Sequence, residues 1–191
     1  MPSTEIEKIK EQLSNVLSTI DPTYIDALLT IHKRLAKTQV VWAVGGDMGE
    51  ILKTVQVQPD CIEILTDCKG ANDIFFAFKD LVPKDVLFQT QRVDRNAVIE
   101  GKEYPVYTRS YYFEFTANGA KVKVFGDLQY RIGDWEWGHK LEFVPDHVSI
   151  VGAKTAIVPL QIKQEIYQGL GWTNRAEKIE KVLKRHPVTP R

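Results

Sequence analysis

Val41-Trp42-Ala43-Val44 runs directly into Gly45-Gly46-Asp47, and Pro59-Asp60-Cys61-Ile62-Glu63-Ile64 follows further along the chain. An apolar strand that ends in two glycines and opens a helix lets backbone N–H groups approach an anion, and the helix dipole adds attraction for phosphate. Side chains alternate along a strand, so residues 61 and 63 share a face, and Glu63 presents a carboxylate beside the glycine turn. Gly45 and Gly46 are thus the candidate anion-facing turn. Asp47, immediately after them, opposes an anionic ligand electrostatically.

Positioning these groups requires a particular set of elements. Ile6, Ile9, Leu13, Val16, Leu17 and Ile20 recur at helical spacing behind a Thr4 to Glu7 capping box. Asp21-Pro22 then starts a second helix carrying Ile25, Leu28, Leu29, His32 and Leu35. Val40 to Val44 is a strand with no polar face, as expected of one covered by protein on both sides. A helical stretch from Asp47 to about Lys53 leads to a second strand over Cys61 to Thr66, and Asn72 is the predicted cap of a helix closed by Pro83. The period then changes: Val86 to Val93, Ala97 to Ile99, Ser110 to Thr116 and Lys121 to Phe125 read as antiparallel strands. Asn118-Gly119 is a two-residue hairpin turn, and Gly126 marks the expected end of the last of these strands. Two short extended pieces, Val148 to Val151 and Ala156 to Val158, precede helices at Leu160 to Leu170 and from Thr173 to about Arg185.

The glycine turn followed by an acidic strand resembles the nucleotidyltransferase superfamily, whose members show an apolar strand, Gly-Gly or Gly-Ser, a short helix and then an acidic pair one residue apart. The stretch Phe113 to Leu128, and the C-terminal run from Val158-Pro159-Leu160 to Arg175-Ala176-Glu177-Lys178-Ile179, look like the hairpin and helical end of small single-domain members, so the resemblance covers roughly residues 38 to 185. It implies an α/β (α+β) fold: a nucleotidyltransferase-like small mixed sheet, helices on one side, and a single domain over 1–191 (N-terminal helices 1–37, sheet core 38–158, C-terminal helices 159–185). It also implies transfer of a nucleoside monophosphate from an NTP to a hydroxyl of a small molecule or protein, assisted by Mg²⁺ held on three acids. Laid on this sequence, the acids fall on Cys61, Glu63 and Lys123, so one carboxylate survives of three. A thiol is a poor ligand for Mg²⁺, and a lysine repels it. Asp60, Asp127 and Asp47 are the acids that could join Glu63, with Asp67 and Glu114 also near these segments, and Gly45, Gly46 and Asp47 are the candidate cofactor-binding residues. Asp60 needs a bulge to reach the same face, and Asp127 needs the strand to continue past Gly126. The expectation is a relative with nucleotidyl transfer lost or greatly reduced, retaining a nucleotide-binding or regulatory role. The alternatives are an active Mg²⁺-dependent transferase and a partner-binding module, dimeric through aromatics at Trp135 to Trp137.

The remaining residues carry less. His32, His139, His147 and His186 show no metal spacing, and Cys61 and Cys68 read as small buried hydrophobes. Trp135, Trp137, Trp172, Tyr104, Tyr107, Tyr111 and Tyr112 could line a base-stacking cleft, with core packing as the default. Arg92, Arg95, Arg109 and Lys69 are candidate phosphate contacts between the sheet and the C-terminal helices, whereas Arg175 to Arg185 reads as an exposed helix with intrahelical ion pairs. With 25 basic and 25 acidic residues among 191, the formal charge is zero, so any phosphate site must be local and there is no strong nucleic-acid signature. No membrane-length apolar run and no basic leader are present, so a cytoplasmic protein is expected.

Overall fold

The computed structural model describes residues 19–82 and 85–185. The predicted first helix with its Thr4 capping box, Pro83 and His186 lie outside the described residues. Helix α1 (Pro22–Leu35) begins as the sequence dictates: Asp21 accepts from the Thr23 N–H at 2.9 Å, and Pro22 occupies the first turn. Strand β1 (Trp42–Val44) leads through Gly45 into a one-and-a-half-turn helix α2 (Gly46–Ile51), and β2 (Ile62–Thr66) follows. Helix α3 (Cys68–Ala77) starts earlier than predicted. Its cap is Asp67, which accepts from the Gly70 N–H at 2.5 Å, whereas Asn72 donates to the Cys68 carbonyl one turn back.

Strands β3 (Leu87–Arg92), β6 (Val106–Ala117) and β7 (Ala120–Ile132) form an antiparallel ribbon, while β4 (Ala97–Ile99) and β5 (Lys102–Tyr104) make a separate two-stranded sheet. Strands β8 (Asp146–Ile150) and β9 (Ala153–Ile157) precede the C-terminal helices α4 (Leu160–Gly169) and α5 (Thr173–Arg185). The main sheet runs β3-β6-β7-β2-β1-β9-β8. It is mixed, with β2 parallel to β7 and β1 parallel to β9. Asn118 and Gly119, both at positive φ, make the β6–β7 turn as their types demand. No helix among the described residues is long and apolar enough to cross a membrane.

The central strands bury both faces. Ile62 and Ile64 join Leu28, Ile31, Ile74 and Phe78 in the main core under α1 and α3, and each such side chain contributes about 1.5–3 kcal/mol through burial. On the opposite face, Ala43, Leu65, Leu128 and Val158 form a smaller cluster. Helices α4 and α5 also lie on that side, packing Leu160, Tyr167, Leu170 and Ile179 against Val106, Tyr130 and Ile132. Helices therefore flank both faces, where the sequence suggested one side, because Tyr167 and Trp172 complete a second apolar stripe that needs its own sheet surface.

Strand β7 does not end at Gly126. The β6–β7 register shifts between Arg109 and Tyr111, where β7 carries one extra residue, and Asp127 sits in the bulge at φ 54°. Gly126 is there because the chain approaches closely: a Cβ would lie 2.8 Å from the Ala71 Cβ and 2.9 Å from the Asp67 carbonyl oxygen. Gly126→Ala is expected to destabilise by about 1–3 kcal/mol in urea unfolding. Gly169→Ala, at a helical position with nothing within 4 Å, should be neutral or stabilising by up to about 1 kcal/mol.

Candidate functional site

Two glycines stand at the end of β1 because β2 leaves no room for side chains. A Cβ on Gly45 would meet the Leu65 side chain at 2.3 Å, and one on Gly46 would lie 2.6 Å from the Glu63 carboxyl. Gly46 also has φ 52°, a conformation that L side chains rarely adopt. The turn is closed by the Gly45 N–H donating to the Glu63 carbonyl at 2.8 Å. Glu63 thus rests against the turn, as the strand alternation predicted.

Across β2 and β7 the register sets Glu63 beside Lys123. Burial pushes the Glu63 carboxyl above the usual carboxylate range. The ammonium groups of Lys163 and Lys123 oppose that rise, while Asp47 and Asp60 add to it. Lys123 is drawn down by burial, yet Cys61, Glu63 and Asp60 raise it above its ordinary value. The Cys61 thiol is pushed up to about 12 by burial, by its contact with Asp60 and by the charge of Glu63, so it is neither a thiolate nucleophile nor a ready ligand. Tyr130, covered on the same face, is raised by burial and by the Glu63 charge.

The acids that could accompany Glu63 have different fates. Asp60 is exposed but acts on both Cys61 and Glu63. Asp127 pairs with Lys140 at 2.7 Å, near the Thr66 end of β2, roughly 10 Å along the strand from residue 63. There it lines a cavity of about 260 Å³ with Trp42, Leu65, Asp67 and Phe143. Glu114 is held by Tyr112 at 2.6 Å and Lys121 at 3.0 Å. Among the described residues, no group of three or more His, Cys, Asp or Glu side chains is arranged to hold a metal ion.

The sequence did not disclose the groups that close the turn from above. Glu50 on α2 is fully buried; its Oε1 accepts from Lys163 Nζ at 3.0 Å and from the Tyr167 hydroxyl at 2.5 Å, and its Oε2 from Arg175 Nη2 at 2.9 Å. Arg175 also pairs with Asp47, and Lys163 donates to the Gly46 carbonyl. Burial works against ionisation of Glu50, but Lys163, Arg175 and Tyr167 together hold its carboxyl below the usual range. Burial draws Lys163 below the ordinary lysine range against the pull of Glu50 and Glu63. Gly46 and Asp47 are therefore joined to α4 and α5 by Lys163 and Arg175. Arg175 turns inward instead of lying on the exposed helix face expected for it, while Lys184 and Glu180 form the predicted intrahelical pair at 2.6 Å. One signal was readable: Leu160, Lys163 and Tyr167 share one helical face, which sets a lysine in an apolar stripe.

The other nominated residues scatter. Lys69 pairs with Asp73 at 2.6 Å on α3, and Arg95 lies 5.2 Å over Trp172. Arg109 lies over Trp137 on the α3 side of the sheet, not in a cleft with the C-terminal helices. His32 meets Thr155 at 2.8 Å and leans on Trp42, so it is a packed side chain. Glu50→Gln, which leaves Lys163 and Arg175 without a buried counter-charge, should cost about 3–5 kcal/mol in chemical unfolding. Glu63→Gln should do the reverse. A carboxyl whose folded pKa is raised loses stability as pH climbs from its unfolded value near ~4 through its folded one, so the variant's gain should be absent near pH ~4 and present at pH ~8.

No protein-family model and no curated protein matches the chain. A candidate nucleotidyltransferase of solved structure from Thermotoga maritima is similar, at 28% identity and a TM-score of 0.66, covering 88% of this chain and 97% of that one. The lincosamide antibiotic adenylyltransferase LnuA, solved with lincomycin bound, aligns at 9% identity and a TM-score of 0.47 over 82% of this chain and 96% of its own. The mixed sheet with its glycine turn, together with the first of these likenesses, makes the chain a relative of the nucleotidyltransferase superfamily with that superfamily's fold.

Proposed function

We propose that this relative has lost, or keeps only in greatly reduced form, metal-dependent nucleotidyl transfer from an NTP, and that its turn serves nucleotide binding or regulation. The observation that supports this most is the pairing of Glu63 with Lys123 in adjacent register. The neighbouring strand offers an ammonium where a second carboxylate would be needed, and Cys61 offers a protonated thiol. Magnesium demands hard oxygen ligands in near-octahedral geometry, and the residues that face the turn do not fit it. Charge at the turn points the same way: Lys163, which donates to the Gly46 carbonyl, and Arg175 are already matched by Glu50 and Asp47.

A second reading, an active transferase acting on the hydroxyl of a small molecule or protein, is favoured by one observation: Asp60 reaches the electrostatic environment of Glu63. Titration decides between them. A ligand present at 100 times its Kd raises stability by about 2.7 kcal/mol. On the first reading, Mg²⁺ or Mn²⁺ should add no stabilisation to that given by ATP in chelator. Cys61→Asp combined with Lys123→Asp should create metal-dependent stabilisation where the wild type shows none. Transfer of label from ATP to an acceptor, abolished by Glu63→Ala, would establish the second reading instead.

A further inference from the structure

Beyond the bulge, β3, β6 and β7 carry a group of cations that the glycine turn does not use. Register places Arg92, Tyr107 and Arg131 in one row across the three strands, and Thr90, Arg109 and Gln129 in the next row on the same face. With strands about 4.8 Å apart and residues two apart about 7 Å along a strand, the Cα atoms of the three arginines lie within roughly 10 Å of one another. Trp137 folds back over the rows. The Arg109 guanidinium sits 4.5 Å and that of Arg131 4.8 Å from the Trp137 ring centre, and Arg131 lies 5.0 Å over Tyr107. Trp135, two residues earlier on the same loop, is 53% exposed and leans on Tyr104, with ring centres 6.0 Å apart.

Clustered arginines on a folded surface usually find carboxylates, because like charges this close repel one another. Among the described residues none of these three does. Arg109 donates through Nε to Gln129 at 2.9 Å, Arg92 reaches only Asn96 at 3.5 Å, and the buried Arg131 Nε has no partner. Asp94, Asp134 and Glu136 are close in sequence, yet none comes within ion-pair distance of any of the three. The three arginines thus stand without a direct ion pair and interleaved with aromatic rings, Glu103 being joined to Arg92 only through Asn96, which accepts from Arg92 and donates to Glu103 at 3.0 Å.

The geometry points to this face as a binding surface for single-stranded nucleic acid, with Arg92, Arg109 and Arg131 meeting successive phosphates and Trp135 offering a plane on which a base stacks. Arginines tracking a backbone, with aromatics beside them, are the arrangement by which proteins hold single strands without reading sequence. A duplex keeps its bases stacked on each other and gains nothing from Trp135. The surface is separate from the glycine turn and depends on neither reading of that site.

The test is fluorescence anisotropy of a labelled twelve-nucleotide oligo(U), a duplex of equal length and heparin as competitor, with the full chain at low salt. Oligo(U) should bind more tightly than the duplex. Its affinity should fall with salt at a log–log slope of roughly −2, about −0.7 for each of three phosphates. Arg92→Glu with Arg109→Gln should weaken binding at least about tenfold and flatten that slope. If the double variant fails to fold, Arg92→Glu alone carries the comparison, since that side chain is exposed and makes only a long contact to Asn96. Failure to bind oligo(U) at protein concentrations up to about 100 µM, equal affinity for the duplex, or unchanged affinity in the folded variants would each overturn the assignment.

Discussion

Glu50 carries a full negative charge into a place where water does not follow, and the rest of the site is arranged around that fact. Desolvating a carboxylate costs several kcal/mol even after the protein relaxes, and the loss is recovered only when every lone pair meets a donor of good geometry. Here the donors are Lys163 and Tyr167 on α4 and Arg175 on α5, while Glu50 itself sits on the short helix that follows the glycine turn. Two parts of the chain 113 to 125 residues apart, α2 and the consecutive helices α4 and α5, must therefore occupy one arrangement together. Because a hydrophobic set of the same volume could be as stable, the network specifies a single docking of the C-terminal helices more than it adds to stability.

The same balance of charge governs residue 63. Two ammonium groups lie close enough to pull its pKa down, yet burial and the nearby Asp47 and Asp60 outweigh them. A carboxyl raised in this way gives up its proton less readily, which works against the binding of a hard cation. Converting this pocket into a metal site would therefore take more than one added acid. It would also require removing Lys123, because every cation brought to the turn competes with an ammonium already there.

Elements with local causes were legible in the sequence. The Asp21-Pro22 start, the Asn118-Gly119 turn and the two C-terminal helices each follow from neighbouring residues whose φ/ψ, capping or periodic preferences are strong, whereas the adjacency of Glu63 to the glycines was legible from the alternation of side chains along β2. Asn72 and Asp67 are types that cap equally well, so the sequence alone does not separate them; Asp67 takes the role, and Ala71 packs in the core from within α3. The partners of Glu50 lie 113 to 125 residues away, a separation at which spacing carries no information. Even so, a lysine in the apolar phase of α4 marked the place where a buried acid had to be found.

One inserted residue links the two faces of the molecule. Before the bulge, Val122 and Val124 point with Phe113 and Phe115 into the core beneath α1 and α3. After it, Leu128, Tyr130 and Ile132 point the other way, toward α4 and α5, because an extra residue reverses the alternation of every side chain that follows. Without Asp127 in its left-handed conformation, Tyr130 would leave the neighbourhood of Glu63, and Arg131 would be driven among the apolar residues of the C-terminal helices. The bulge thus turns Tyr130 onto the face of the sheet that carries Glu63, where burial and the Glu63 charge raise its pKa, and by the same geometry sends Gln129 and Arg131 outward to stand beside Arg109. The turning of Tyr130 toward the C-terminal helices and of the arginines toward the opposite face thus has one origin, the irregularity in β7 next to Gly126, where the chain approaches Asp67 and Ala71.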